Sequence, residues 1–192
     1  TITGTGVGNA IPDTSVVTIA ASAVLDLAGN SETVGPLNGA AGSSVTLGTA
    51  ALTINSTAAG TFSGVISGTG PVTKSNTNSQ TLAGANTYTG TTTVAAGTLA
   101  VTGSLVSQPT VQSGATLTGT GATGLLTVNS GGTHAPGTNV GIGTVNGNYV
   151  QNGALQIQIG SATAAVAGVD YDQVKVLSSG SVAIGATATL TV

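Results

Sequence analysis

Short runs in which apolar residues alternate with Thr, Ser or Asn recur along this chain, separated by turns rich in Gly, Asn and Ser. Apolar positions two apart appear as Leu25 and Leu27, Val45 and Leu47, Leu52 and Ile54, Leu99 and Val101, Leu126 and Val128, and Val174 and Val176. A spacing of two puts both members on one side of an extended strand, so each pair predicts a short strand with one inward face. The pieces between them, such as "AGNS", "LNGAAGSS", "SGTGP", "AGAN" and "NSGGT", carry turn residues and are too short for a helix. Parallel strands need a crossover, usually a helix, or a coil in which each turn of chain stacks on the one before. Without a helix pattern, the choice lies between a solenoid and an antiparallel sandwich. Inward pairs return roughly every 17–25 residues, in the range of solenoid repeats but without one fixed period. A sandwich with strands at about 8–12-residue intervals is also compatible with the pattern.

Composition favours the solenoid. Of 192 residues 31 are Gly, and none is Cys, Met or Trp; Lys and Arg together number two and Asp and Glu five. Thr, Ser and Asn stand where a soluble surface usually carries charge, which suits long stacked ladders of identical polar side chains. At roughly 4.8 Å per rung and about 20–22 residues per rung, the expectation is one all-β rod over 1–192, about eight or nine rungs and about 40 Å long. With 40% apolar residues the chain can bury a continuous core.

The same numbers exclude several functions. Two Lys (Lys74, Lys175) and no Arg cannot neutralise a row of phosphates, so no nucleic-acid partner is expected. No apolar run reaches 18 residues, and "TITGTGVGNAIPDT" has neither a basic region nor an apolar signal core. Phe62, Tyr88, Tyr149 and Tyr171 are too few for the aromatic girdles of an outer-membrane barrel. Absence of Cys removes disulfides and thiolate metal sites, which suits a chain that crosses an oxidising compartment unfolded.

The stretch "QTLAGANTYTGTTTVAAGTLAVTGSL", residues 80–105, resembles the passenger-associated strand repeat of bacterial autotransporters, with Asn86, Thr87, Tyr88, Gly90, Thr92, Val94, Gly97, Thr98 and Leu99 at the matching places. The residues read compatibly on their own. Asn86 can close a turn with its side chain, Gly90 and Gly97 permit positive φ, and Leu99 with Val101 returns to the core. A second stretch, "GGTHAPGTNVGIGTVNGNYVQNGALQIQIG" followed by "DYDQVKV", resembles the C-terminal, pertactin-like autochaperone region of such passengers, here 131–192. Ala135, Pro136, Gly137, Gly147, Asn148, Tyr149, Gln151, Leu155, Ile157, Ile159 and Asp170 carry that likeness. Ala183 and Ala186 are small where larger apolar residues are often seen, which predicts looser packing there.

The resemblance implies a right-handed, single-stranded parallel β-helix in a type V secreted protein at the bacterial surface, exported through periplasm and outer membrane. It implies as partners the protein's own C-terminal outer-membrane β-barrel, expected beyond Val192, and like passengers on neighbouring cells or a host surface ligand. The implied role is that of stalk and folding nucleus of an adhesin, a virulence-type function without catalysis. Alternation of Leu155, Ile157 and Ile159 with Gln156 and Gln158 fits a nucleating strand.

Candidate chemistry is sparse, and no cofactor or metal site is expected. His134, the single His, stands in "GGTHAPG" and reads as a solvated turn residue, since no Gly-x-Ser-x-Gly elbow accompanies it. Asp170 and Asp172 share one face if extended and could pair as carboxylates or hold a cation; a polar turn leading into the strand from Val174 is the favoured expectation. Tyr171 beside them could stack on a sugar or pack on a loop. The Ala-rich piece 160–170 reads as a loop with one helical turn, and "GTGVG" as a turn without the Lys that phosphate binding requires. Two alternatives come from other classes. A polysaccharide lyase would need a base and Ca²⁺ ligands. An ice binder would need the Thr pairs Thr1 and Thr3, Thr87 and Thr89, Thr91 and Thr93, Thr118 and Thr120, and Thr187 and Thr189 at one rung position, and their separations are uneven.

Overall fold

The computed structural model describes residues 2–3, 10–160, 166–177 and 179–192. Thr1, the "GTGVG" piece and residues 161–165 of the Ala-rich piece, to which expectations were attached, lie outside the described residues. Within them the chain is a parallel β-solenoid, all strand and turn with no helix. Each turn of the coil visits three faces in order. Face I is a sheet of eight strands, from Glu32–Val34 to Val182–Ile184, and face II a sheet of nine, from Val17–Ile19 to Thr189–Thr191. Face III consists of a four-stranded sheet ending at Val65–Ser67 and a five-stranded sheet starting at Ala85–Asn86. The two halves of face III join where the Asn86 side chain accepts from the Ile66 amide and the Ile66 carbonyl accepts from the Thr87 amide. Every strand pairing in the three faces is parallel, and the depth of eight and nine strands is the depth expected from the sequence.

The coil tolerates rungs of different length because its strands stay in register while its corners vary. On face I the inward column runs Val34, Ile54, Lys74, Val94, Val111, Val128, Gln151 and Ile184. Those steps are 20, 20, 20, 17, 17, 23 and 33 residues, which is why the sequence shows no fixed period. The longest step contains the Ala-rich piece. Described residues 168–170 of that piece form a turn, held where the Gly160 amide donates to the Asp170 carbonyl at 2.7 Å.

Five of the six apolar pairs point into the core and are essentially inaccessible, among them Val45 with Leu47 and Leu52 with Ile54. The sixth, Val174 with Val176, is only partly buried and packs against that core. Looseness at the C-terminal end is seen too, but Ala183 does not cause it. Ala183 lies on the outward position of its strand, whereas the inward Val182, Ile184 and Leu190 are 56%, 63% and 66% exposed because no described strand covers their outer side. A substitution at the covered and at the uncovered end therefore has different consequences. Phe62→Ala, at a fully buried position, is expected to cost about 3–5 kcal/mol in equilibrium urea unfolding, and Ile184→Ala no more than about 0.5 kcal/mol.

Candidate functional site

The residues singled out from the sequence serve mainly to tie one rung to the next. Asn86, completely buried, accepts at Oδ1 from the Ile66 amide (3.0 Å) and donates from Nδ2 to the carbonyls of Gly84 (3.0 Å) and Ser104 (3.3 Å). One amide thus joins its own turn to the rungs on both sides. Tyr88 is also fully buried, and its hydroxyl lies 2.6 Å from Thr92 Oγ1, which lies 2.6 Å from Ser107 Oγ. Burial raises the Tyr88 pKa, so the phenol stays protonated. Leu99 and Val101 return to the core as expected. Gly97 has φ of 64°, as its turn requires. Gly90 does not take positive φ and is needed for another reason: a Cβ there would strike the Gly70 carbonyl of the preceding rung.

Two further polar side chains of this region lie in the core, which the sequence reading missed. Gln80 reaches across Gly60 to the backbone of Leu37, two rungs away, accepting from its amide at 3.2 Å and donating to its carbonyl at 2.8 Å. A side chain at position 60 would occupy the space of the Gln80 amide. Lys74 extends inward between Ile54 and Val94 and donates from Nζ to the carbonyls of Ser75 (2.9 Å), Asn76 (2.8 Å) and Ala96 (3.0 Å). Burial lowers its pKa to about 8. The signal was present: Gln80 has the parity of Leu82, and Lys74 that of Val72, so alternation alone places both inward.

The C-terminal motif residues are more mixed. Pro136 and Gly137 form a corner in which Gly137 has φ of 86° and exchanges backbone bonds with Gly119, and Thr118 Oγ1 donates to the Gly137 carbonyl. Gly147 has φ of 144° and precedes Asn148 and buried Tyr149. The amphipathic strand expected through Ile159 is shorter than its alternation suggests. It spans Ala154–Gln156, Leu155 and Ile157 are half-buried, and Ile159 is 60% exposed, bridged in antiparallel sense to Tyr171.

His134 is not a solvated turn residue. It sits in the strand Thr133–Pro136, points into the core and lies with Nδ1 2.9 Å from the Tyr149 hydroxyl, which donates to Gln151 Oε1 at 2.7 Å. The two rings meet edge to face at 5.4 Å. Burial lowers the His134 pKa to about 4, so the ring is neutral at physiological pH. Gln151 Nε2 is buried without a partner, so this cluster is less completely satisfied than the one around Tyr88.

Asp170 and Asp172 are buried carboxylates that hold backbone, not an open pair. Asp172 accepts from the amides of Gly141 (2.7 Å) and Gln158 (2.8 Å), and Asp170 from that of Val166 (3.0 Å), fastening the long last turn. Glu32 does the same at the other end, accepting from the amides of Ala10 (2.8 Å) and Ile11 (3.0 Å). Tyr171 is half-buried against its loop. Among the described residues no three His, Asp or Glu gather as metal ligands. Lys74 and both aspartates, groups that lyase chemistry could draw on as base and Ca²⁺ ligands, are engaged with backbone in this fold.

Outward-facing polar side chains, half-buried between their neighbours, lie instead on the flat faces. The outward column of face I reads Thr33, Thr53, Thr73, Thr93, Thr110 and Thr127, paired rung by rung without interruption, then Val150 and Ala183. Face II carries a less regular array, with Ser79, Thr98, Thr116 and Thr133 in one column and Thr61, Thr81, Ala100, Thr118 and Ala135 in the next.

This geometry defines a structural class, the parallel β-solenoid bound by inter-rung polar ties. Residues 72–101 match the family model of the passenger-associated-transport-repeat, the repeat found in autotransporter passengers. The chain therefore carries an autotransporter passenger repeat, centred on Lys74, Gln80, Asn86 and Tyr88. The match begins eight residues before Gln80 and takes in the strand Val72–Ser75. It leaves the likeness over 131–192 to the residues themselves. No curated protein and no solved structure matches the chain.

Two measurements test the polar core. Asn86→Ala strands the Ile66 amide and is expected to cost about 1–3 kcal/mol in urea unfolding. His134 binds a proton more weakly folded than unfolded. Its contribution is thus fully present above its ordinary pKa of 6.5 and lost as pH falls through about 4. A pH series of unfolding curves should lose about 3 kcal/mol across that window, and His134→Leu should flatten it.

Proposed function

We propose that the chain is the stalk of an autotransporter passenger at the bacterial surface, that its C-terminal rungs act as a folding nucleus, and that the whole passenger is an adhesin. The observation that carries this is the passenger repeat itself, whose defining side chains bind rung to rung and present no group for catalysis. A rod built this way transmits tension along hydrogen bonds shared by every neighbouring pair of strands, which is what a stalk must do.

The folding role follows from the same physics. A solenoid grows by adding rungs to a formed end, and outside the cell no ATP-driven chaperone assists, so a stable nucleus has selective value. The partner on the membrane side is then the protein's own outer-membrane barrel, and the partners on the outer side are like passengers or a host surface ligand.

Display of the whole passenger on cells tests both parts. Leu155→Asp, which puts a charge into the C-terminal rungs, is expected to reduce the protease-resistant surface passenger at least fivefold, while Thr18→Asp at an exposed position of the first rung leaves it unchanged. Equal resistance for both variants would refute the nucleus. Cells carrying the passenger are expected to attach or settle faster than cells without it, and equal rates would refute the adhesin.

A further inference from the structure

The threonine column of face I has features that no stalk requires. Six identical side chains stand one per rung although their sequence separations are 20, 20, 20, 17 and 17, so the register keeps them aligned where the chain lengths do not. None of the six hydroxyls bonds to another group of the chain among the described residues. Each therefore points a donor and an acceptor outward, beside a methyl group. The surroundings carry little charge. Among the described residues Glu32, Lys74, Asp170 and Asp172 are buried and Asp26 and Lys175 lie on face III, which leaves one exposed carboxylate, Asp13, at the first corner of face I, where its carbonyl accepts from Asn55 Nδ2.

We propose that this column is the contact surface for a second copy of the chain, laid side by side with its rungs in phase. This rests on the surface-passenger reading above and names the face through which one passenger holds another. A row of hydroxyls repeating at about 4.8 Å is matched by another row of the same period, and each hydroxyl can both give and receive a bond, so the face is complementary to itself. Other partners fit worse. A sugar chain would call for aromatic platforms, but Phe62, Tyr88 and Tyr149 are buried and half-buried Tyr171 lies in the long last turn and in no strand of face I. An anionic surface would call for cations, and face I exposes none. Like charges, the usual bar to pairing of identical rods, amount on each side to Asp13 at one end of the face.

The contact is small. Eight strands at about 4.8 Å and a width of about 10 Å give roughly 400 Å² per copy, half of the roughly 800 Å² per partner of a standard interface. A single pair is accordingly weak, and arrays of copies on two facing surfaces hold by multivalency.

The test uses beads densely coated with the chain, scored for clumping by microscopy, with each variant checked for unchanged β-sheet circular dichroism. Wild-type beads are expected to clump, and Thr73→Lys with Thr93→Lys to reduce clumps at least tenfold. Thr61→Lys with Thr81→Lys, on face II, is expected to leave them unchanged. Mixing the face I lysine beads with beads carrying Thr73→Glu and Thr93→Glu should restore mixed clumps, which a loss of folding could not do. Dispersed wild-type beads, or clumping abolished by the face II pair and not by the face I pair, would overturn the proposal. Thermal hysteresis lost with Thr73→Lys, from beads that do not clump, would overturn it in favour of ordered water as the ligand. On cells displaying the whole passenger, settling that survives the face I lysines overturns the column while leaving adhesion intact. Absence of settling by the wild type counts against adhesion itself.

Discussion

A rung of this coil has no core of its own. Its inward side chains meet water above and below until a neighbouring rung covers them, and its strand amides and carbonyls find partners only on that neighbour. Apolar burial and hydrogen bonding are therefore earned at the same interface, one rung at a time. The difference between Phe62, covered on both sides, and Ile184, covered on one, is this constraint expressed in a single chain. Everything else in the molecule either serves the stacking or is permitted by it.

The polar side chains of the core serve it. Gln80 pairs the backbone of Leu37 across a glycine rung, Asn86 joins three rungs at the seam of face III, and Tyr88, Thr92 and Ser107 relay hydroxyls along the axis. Such groups cost desolvation and are tolerable only when satisfied, which makes them specific: a rung shifted by one residue would leave them unpaired. They fix the register that purely apolar columns would leave loose. The passenger repeat lies over these ties, so the repeat reads as a register-setting unit. The charges of the chain follow the same logic. Four of the five carboxylates accept from backbone amides, at Asp26, Glu32, Asp170 and Asp172, and the last three are buried.

The outside is what the permitted part looks like. With register held from within, corners are free to differ in length and the flat faces are free to carry one residue type rung after rung. The threonines of face I are such a column. A surface of this kind is neither sticky in the apolar sense nor repulsive, and its recognition depends on matching a period, not on a pocket.

Alternation of apolar and polar residues and the turn chemistry between strands determined by themselves that this chain is all-β and made of short strands, because side-chain parity and turn propensity are local properties; polar composition then favoured a parallel coil over an antiparallel sandwich. Parity also carried the inward placement of Lys74 and Gln80, and the Asn86 to Leu99 motif carried the repeat. His134 was misread because its neighbours Gly132 and Pro136 signal a turn, while the strand through it is imposed by pairing with Leu117 and Leu155. The strand through Ile159 was overextended for the converse reason, since its ladder ends where the Ile157 amide donates to the Thr191 carbonyl and Ile159 then bridges Tyr171 of its own turn instead of a neighbouring rung. Only the tertiary structure decided which residues share a column. Rungs of 17, 20 and 23 residues lie flush because strand pairing sets the register and the corners absorb the difference, and no local property of the chain records that sum.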